Sequence, residues 1–410
     1  MVCEIITIGT EVVMGSTVNS NSLYLSRKLT GLGVEVYYHT SVDDNVKRIK
    51  SAIKTAIDRS DIIITTGGLG PTNDDITKEI ISEALGLQLI LDKDMKKHIQ
   101  NMFIRMDSDI TENNYKQAYI PEGATFINNE IGTAPGIYLE KNMKKIIMLP
   151  GPPSEMELMS DKAVKYLMDN DINIVTKSIN LVGIGESLLE TKLKELNLDT
   201  DNTSVLTFAK EGTVEIKIIS KGEDGKTLNK EVSDIIYILK KEFGSNVYSN
   251  GDTRLEETVV KLLKEKNLKI GLCESITGGM VSSRITKVSG ASEVLDRSIV
   301  TYSNKAKMDE VGVKKQTLDK FGAVSKETAY EMAKGLISKS NIDIAISITG
   351  LAGPKGDNSG KPIGLVYICI LTKNGKEIYE CQFNGNRDLI RERATIELLN
   401  NLRKYIMQYI

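Results

Sequence analysis

The sequence predicts an α/β protein in which two α/β domains with mainly parallel sheets flank a small α+β domain. Three observations carry this. Short β-branched runs alternate with helical patterns through both outer parts of the chain, as parallel sheets with crossover helices require. The stretch between them reads strand, helix, strand, helix, separated by Asp/Asn/Gly turns. The 410 residues leave room for two or three cores, at ~100–200 residues each.

The first domain is assigned residues 1–168. CEIITIG (3–9), VEVYYHTSV (34–42) and DIIITTGG (61–68) are predicted strands. NSLYLSRKLTGLG (21–33) and NVKRIKSAIKTAI (45–57) are the helices between them. Ligands of such folds gather at the carboxyl ends of strands, where glycine turns enter helices. That selects IGTEVVMG (8–15) and TTGGLGPTNDD (65–75). The second domain is assigned residues 169–250, with strands INIVTKSINLVG and GTVEIKIISKG and helices ESLLETKLKEL and LNKEVSDIIYILKKEFG. YSNGDTRLEE (248–257) then makes a polar break. The third domain, 251–410, resumes the alternation with strands KIGLCES, SIVTYSN, IDIAISITG, GLVYICILT and KEIYECQF and a long closing helix from Arg387.

Composition removes several classes of function. Lys+Arg total 53 against 55 Asp+Glu, a net charge of -2 that gives no general pull toward nucleic acid or an anionic membrane. Cys3, Cys273, Cys369 and Cys381 form no CxxC and lie far apart or in apolar runs, which points to reduced, buried thiols. With only His39 and His98, a His-rich metal site is excluded. The N-terminus lacks a basic n-region, and no apolar run approaches the ~18 residues of a membrane span. A soluble cytoplasmic protein is expected.

TTGGLGPTNDDITKE (65–79) is the densest signal of the first domain. Gly67, Gly68 and Gly70 allow close backbone approach to a ligand and present N–H groups to anionic oxygens, with Thr72 beside them. Asp74 and Asp75 are expected to open a helix, as Mg²⁺-binding carboxylates beside a phosphate cradle or as its cap and dipole partners. INNEIGTAPGI (127–137) and MLPGPPSEMELM (148–159) add two rigid turns, the latter placing Glu155 in a helix just after a diproline.

In the third domain, CESITGGMVSSRIT (273–286) places Ser275 at a strand end with Gly278 and Gly279 leading into a helix. A hydroxyl there is placed to attack a carbonyl, with helix-start N–H groups around the oxyanion. An ordinary helix cap is the commoner use of residues such as Ser275 or Thr277. With no histidine in this domain, the base is a lysine of lowered pKa, Lys305 or Lys307 of VTYSNKAK (300–307), with Tyr302 as neighbour. GPKGDNSGKP (353–362) fails as a P-loop because its glycine spacing is wrong and Pro362 replaces the Mg²⁺-binding hydroxyl. GEDG (222–225) fails as a nucleic-acid GxxG loop because its middle residues are acidic.

TTGGLGPTNDDITKE, GTAPG, LPGPPSEM, ESITGG, VTYSNKAK, FGAVSKE, SITGLAGPKG and KPIGLVY, in this order, closely resemble the CinA family of competence and damage induction. The resemblance covers essentially the whole chain. It implies an N-terminal domain similar to the molybdopterin-binding MoaB/MogA fold, a KH-like middle domain and a C-terminal nicotinamide mononucleotide deamidase domain. Two activities follow from it as expectations. One is a nicotinamide-nucleotide amidase that yields nicotinate mononucleotide and ammonia and needs no cofactor. The other is an ADP-ribose pyrophosphatase in the first domain, using a divalent metal (Mg, Mn or Co) and, in some members, potassium.

Matched residue by residue, the resemblance implies Ser275 as nucleophile, Thr277 as a second hydroxyl and Lys307 as base, with Tyr302 beside them. Gly278, Gly279, Asn304, Thr349 and Gly350 would line the pocket, and Arg387 and Arg391 would meet the nucleotide phosphate. Asp74, Asp75 and Glu155 match motif positions for metal, with Asp44 and Glu11 weaker. Ile276 stands where the family has Cys, and Asp357 where it has a second glycine. The resemblance further implies a homodimer that binds nicotinamide mononucleotide and ADP-ribose, with no membrane or direct nucleic-acid contact. The alternative is a non-catalytic adaptor in DNA uptake or recombination, with a pterin- or nucleotide-binding N-terminal domain.

Overall fold

In a computed structural model of the chain, residues 2–105, 107–167, 173–356 and 360–409 are described. The first domain begins with β1 (Val2–Ile8), α1 (Thr10–Val13), α2 (Ser20–Gly31), β2 (Glu35–Val42), α3 (Val46–Arg59) and β3 (Ile62–Thr66). It continues through α4 (Thr77–Ala84), β4 (Leu89–Leu91), α5 (Lys93–Arg105), β5 (Tyr119–Pro121), β6 (Thr125–Ile127), β7 (Gly136–Lys141), β8 (Lys144–Leu149) and α6 (Pro153–Ala163). The main sheet runs β2-β1-β3-β8-β7-β6. Its first four strands are parallel, with Ile5 opposite Ile64 and Ile64 opposite Ile147, while β7 and β6 return antiparallel.

The alternation along β1 explains the layering. Ile6 and Ile8 pack on one face with Ile49 and Ile53 of α3 and Ile80 and Ile81 of α4. Cys3 and Ile5 pack on the other with Leu25 and Leu29 of α2 and Met156 and Met159 of α6. A strand apolar on both faces is what a helix-covered parallel sheet needs. Each fully buried Ile or Leu contributes roughly 1.5–3 kcal/mol of transfer free energy. The carboxyl ends of β1, β3 and β8 therefore open onto one edge, from which the loops at 9–19, 67–76 and 150–152 depart.

The middle domain comprises β9 (Asn173–Val182), α7 (Glu186–Leu196), β10 (Thr203–Lys210), β11 (Thr213–Gly222), α8 (Gly225–Phe243) and β12 (Val247–Asn250). Its sheet order is β10-β11-β9-β12. The two edge strands, β10 and β12, are additions to the strand–helix–strand–helix reading. Both are half-exposed, and β12 lies within what reads in sequence as a polar break. The chain divides into two compact units, residues 1–176 with 219–228 and residues 177–218 with 229–410.

The last domain comprises α9 (Leu255–Glu265), β13 (Ile270–Glu274), α10 (Met280–Thr286), β14 (Leu295–Val300), α11 (Asn304–Val311), α12 (Lys315–Phe321), α13 (Lys326–Ser338), β15 (Ile344–Gly350), β16 (Leu365–Thr372), β17 (Lys376–Gln382) and α14 (Arg387–Tyr409). The sheet order is β14-β13-β15-β16-β17, parallel across the first three strands and antiparallel across the last two pairings. Leu272 and Ile346 face Val259, Leu263, Leu399 and Leu402 of α9 and α14. Cys273, Ala345 and Cys369 face Met332 and Leu336 of α13. Burial pushes the Cys273 thiol up to about 11 and the Cys3 and Cys369 thiols up to about 12, so these cysteines pack as small apolar groups. Among the described residues, no helix is long and apolar enough to cross a membrane.

Candidate functional site

Two places are candidate sites, and the first collects several residues singled out from the sequence. In the last domain β13 is buried along its whole length and ends at Glu274. The next residue is pinned to the neighbouring strand, Ser275 N donating to Ile348 O at 3.0 Å. Gly278 and Gly279 then take left-handed φ values of +58° and +96°, which turn the chain into α10. Lys307, near the start of α11, reaches back to this corner. Its Nζ donates to Ser275 Oγ at 3.0 Å and to Thr301 O at 2.7 Å. The Lys307 side chain is 1% exposed, and burial lowers its pKa from 10.5 to about 8. An amine that is neutral near pH 8, beside a hydroxyl, has the geometry to accept that hydroxyl's proton.

The surroundings differ from the expected oxyanion site. The carboxylate of Glu274, fully buried, accepts the N–H groups of Gly279, Val281 and Ser282 at 2.9, 3.2 and 2.9 Å. It also accepts the hydroxyls of Thr277 at 2.7 Å and Ser282 at 2.9 Å. A fixed carboxylate therefore already occupies the positive end of α10, where an oxyanion was expected. Glu274 was not singled out from the sequence. The signal was a charged residue closing an apolar strand, which demands partners when buried.

The other residues matched in this domain are tied into the fold. Arg391 donates Nε to Ile276 O at 3.2 Å and Nη2 to Thr277 O at 3.0 Å, clamping the loop after Ser275. Arg387 donates to Gly353 O at 2.8 Å and to the hydroxyl of Tyr302, whose ring is exposed. Thr349 Oγ1 donates to Ala323 O at 2.8 Å. A Cβ at Gly350 would stand 2.8 Å from Leu365 O, so only glycine fits there. Asn304 opens α11 behind Ser303, which accepts the N–H of Ala306. Lys305 is exposed, and Asp357 lies outside the described residues.

The second place is a cavity of about 340 Å³ in the first domain. It is lined by Thr7, Glu11, Asn19, Asn21, Thr66 and Pro152, among others. Asn21 Nδ2 donates to Thr66 Oγ1 at 2.8 Å and to Gly151 O at 2.7 Å, tying the start of α2 to the end of β3 and to the loop after β8. Among the described residues, its Oδ1 is buried and unpartnered. Asn21 was not anticipated from the sequence, since its role depends on a helix start, a strand end and a loop meeting in space. The glycine-rich loop starts beside the cavity wall. A Cβ on Gly67 (φ +107°) would lie 2.1 Å from Ile8 O, and one on Gly70 would lie 2.5 Å from Asp75 Oδ2. Gly68 also takes a positive φ, its O accepting Thr77 N.

The carboxylates matched for metal sit apart in function. Asp75 does not open α4, which begins at Thr77; its Oδ2 turns back to accept Thr72 N at 2.9 Å and Thr72 Oγ1 at 2.6 Å. Asp74 is exposed in the turn before the helix. Asp44 Oδ2 accepts Thr10 N at 2.9 Å and Thr10 Oγ1 at 2.6 Å, and Glu155 accepts Asn129 Nδ2 at 2.7 Å. Only Glu11 of this set lines the cavity. Among the described residues, no three His, Cys, Asp or Glu side chains are grouped to hold a metal ion.

Known families match in the same order along the chain. "Probable molybdopterin binding domain" covers residues 4–169, "Damage-inducible protein CinA KH domain" covers 176–249, and "CinA C-terminal domain" covers 252–406. A "Putative competence-damage inducible protein" of Caldicellulosiruptor bescii is 44% identical over 100% of both chains. The chain belongs to the CinA family. A "CinA-like protein" of Dictyoglomus turgidum is 42% identical over 99% of this chain and 100% of its own. Among solved structures, a Thermoplasma acidophilum CinA described as of unknown function shares 35% identity over 41% of this chain and 98% of its own, with a TM-score of 0.38.

These findings correct the expectation of a bifunctional nucleotide-salvage hydrolase. The full-length relatives carry competence-damage or CinA-like names, and none of these names an amidase or a pyrophosphatase. In the last domain the Ser275–Lys307 pair forms as expected, while Glu274 takes the N–H groups of Gly279, Val281 and Ser282 at the start of α10. Of the carboxylates expected to hold a divalent metal, Asp44, Asp75 and Glu155 accept hydrogen bonds in separate parts of the domain.

Proposed function

We propose that this CinA-family chain is a non-catalytic adaptor in DNA uptake or recombination, whose first domain binds an aminoheterocycle of pterin or nucleotide type. The observation that carries the ligand is the chemistry of the 340 Å³ cavity. Its lining offers the Glu11 carboxylate as acceptor beside side-chain amides and hydroxyls that donate and accept, and contains no Lys or Arg. Asn21 Oδ1 is a further buried acceptor left without a partner among the described residues. A lining of that kind suits a flat ligand that presents N–H donors along one edge, and the volume suits one of small-molecule size. The match of residues 4–169 to a molybdopterin-type domain supports the same class. The adaptor role is supported by the competence-damage names of relatives that align over their whole length.

The reading places the protein in the cytoplasm as a homodimer and invokes neither a divalent metal nor potassium. Calorimetric titration with a reduced pterin and, separately, with AMP tests it. Saturable binding of one of the two, weakened at least about tenfold in Asn21→Leu, is the expected result. Absence of heat with both overturns the ligand assignment. A deletion strain that takes up and recombines DNA at the wild-type rate overturns the adaptor role.

A further inference from the structure

The glycine-rich loop is gripped from beneath by a segment that no motif marks. Residues Glu112–Ala118 form a single 3-10 stretch, and two of its side chains reach carbonyls of the loop. Lys116 Nζ donates to Thr72 O at 3.2 Å and to Asp75 O, and Gln117 Nε2 donates to Leu69 O at 3.4 Å. Lys116 also lies 3.7 Å from Glu79 at the start of α4. Lys116 is itself held from behind, its own carbonyl accepting the Nζ of the buried Lys78 on α4.

The direction of these bonds matters. In a trans peptide the C=O and the following N–H point in opposite directions. Carbonyls of Leu69, Thr72 and Asp75 drawn toward the Lys116–Gln117 side leave the N–H groups of Gly70, Asn73 and Ile76 aimed away from it. We infer that Lys116, seated by Lys78, is a positioning residue that fixes the glycine-rich loop, which follows the cavity-lining Thr66, with its N–H groups outward. The inference rests on the proposed ligand reading for its purpose, and on the loop contacts alone for its geometry. A long cation suits the task because one ammonium satisfies two carbonyls at once, and arginine can do the same.

Hydrogen exchange of the full chain tests it, comparing wild type, Lys116→Met and Lys116→Arg. Lys116→Met speeds exchange of the hydrogen-bonded Thr72 and Asp75 amides at least about tenfold, while the strands of the first domain exchange as before. Lys116→Arg restores slow exchange in the loop. Pterin affinity falls in Lys116→Met and returns in Lys116→Arg. Loop exchange equal to wild type in Lys116→Met overturns the inference, as does acceleration spread evenly over the whole domain. If the wild type binds no pterin but the loop still loosens in Lys116→Met, the clamp stands and the ligand reading falls.

Discussion

Replacing Lys307 with Met removes a buried charge while keeping most of the side chain's volume. Burial brings the Lys307 pKa from 10.5 down to about 8, and no carboxylate pairs with it among the described residues. Between these two values the unfolded chain binds more protons than the folded chain, so wild-type stability rises with pH across that window. Below pH 8, at about 1.4 kcal/mol per unit, the buried ammonium destabilises the fold by about 3 kcal/mol. The Met variant escapes that term but loses the bonds to Ser275 Oγ and Thr301 O, at about 1 kcal/mol each. It is therefore about 1 kcal/mol more stable than wild type at pH 7 and about 1 kcal/mol less stable at pH 10. Urea denaturation of both proteins at the two pH values reads this reversal directly. A wild-type-minus-variant difference that is the same at pH 7 and pH 10 refutes the reasoning, because it means that Lys307 is not desolvated.

Two further outcomes follow from the same structure. Glu274→Gln removes the negative charge from a carboxylate that accepts five hydrogen bonds, and urea denaturation should show a loss of at least about 3 kcal/mol; a loss under about 1 kcal/mol contradicts the capping role. Gly67→Ala forces a Cβ to within 2.1 Å of Ile8 O at a left-handed φ, costing about 3 kcal/mol by the same assay and weakening pterin binding; unchanged stability means the loop has another conformation.

What the sequence makes legible is periodic or punctuated. β1 and β3 can be read because burial on both faces leaves short runs dominated by β-branched residues, and α7 because its leucines recur on one face and turns bound it. VTYSNKAK offers Lys305 and Lys307, the family resemblance prefers Lys307, and the structure brings Lys307 to Ser275. Glu274 cannot, because a buried carboxylate looks the same in sequence as an exposed one until the N–H groups that receive it are placed around it. Asp75 reads as a helix opener because carboxylates favour first turns, yet the Thr72 N–H and hydroxyl three residues earlier compete for it and win. Asn21, Lys78 and Lys116 act across the fold, Lys116 on carbonyls more than forty residues away at Thr72 and Asp75, and no local pattern encodes such a meeting. The functional expectation failed for a related reason. The motifs fix the loops, but what the loops' N–H groups and carboxylates hold is settled by neighbours in space.

The central claim is that the first domain binds its ligand and leaves it unchanged. The most direct measurement is to incubate the full chain with a reduced pterin and with AMP, separate the bound fraction, and recover the ligand for mass analysis. The account predicts stoichiometric retention of one of the two, recovered intact and lost in Asn21→Leu. Failure to retain either ligand, or recovery of a chemically altered one, contradicts it.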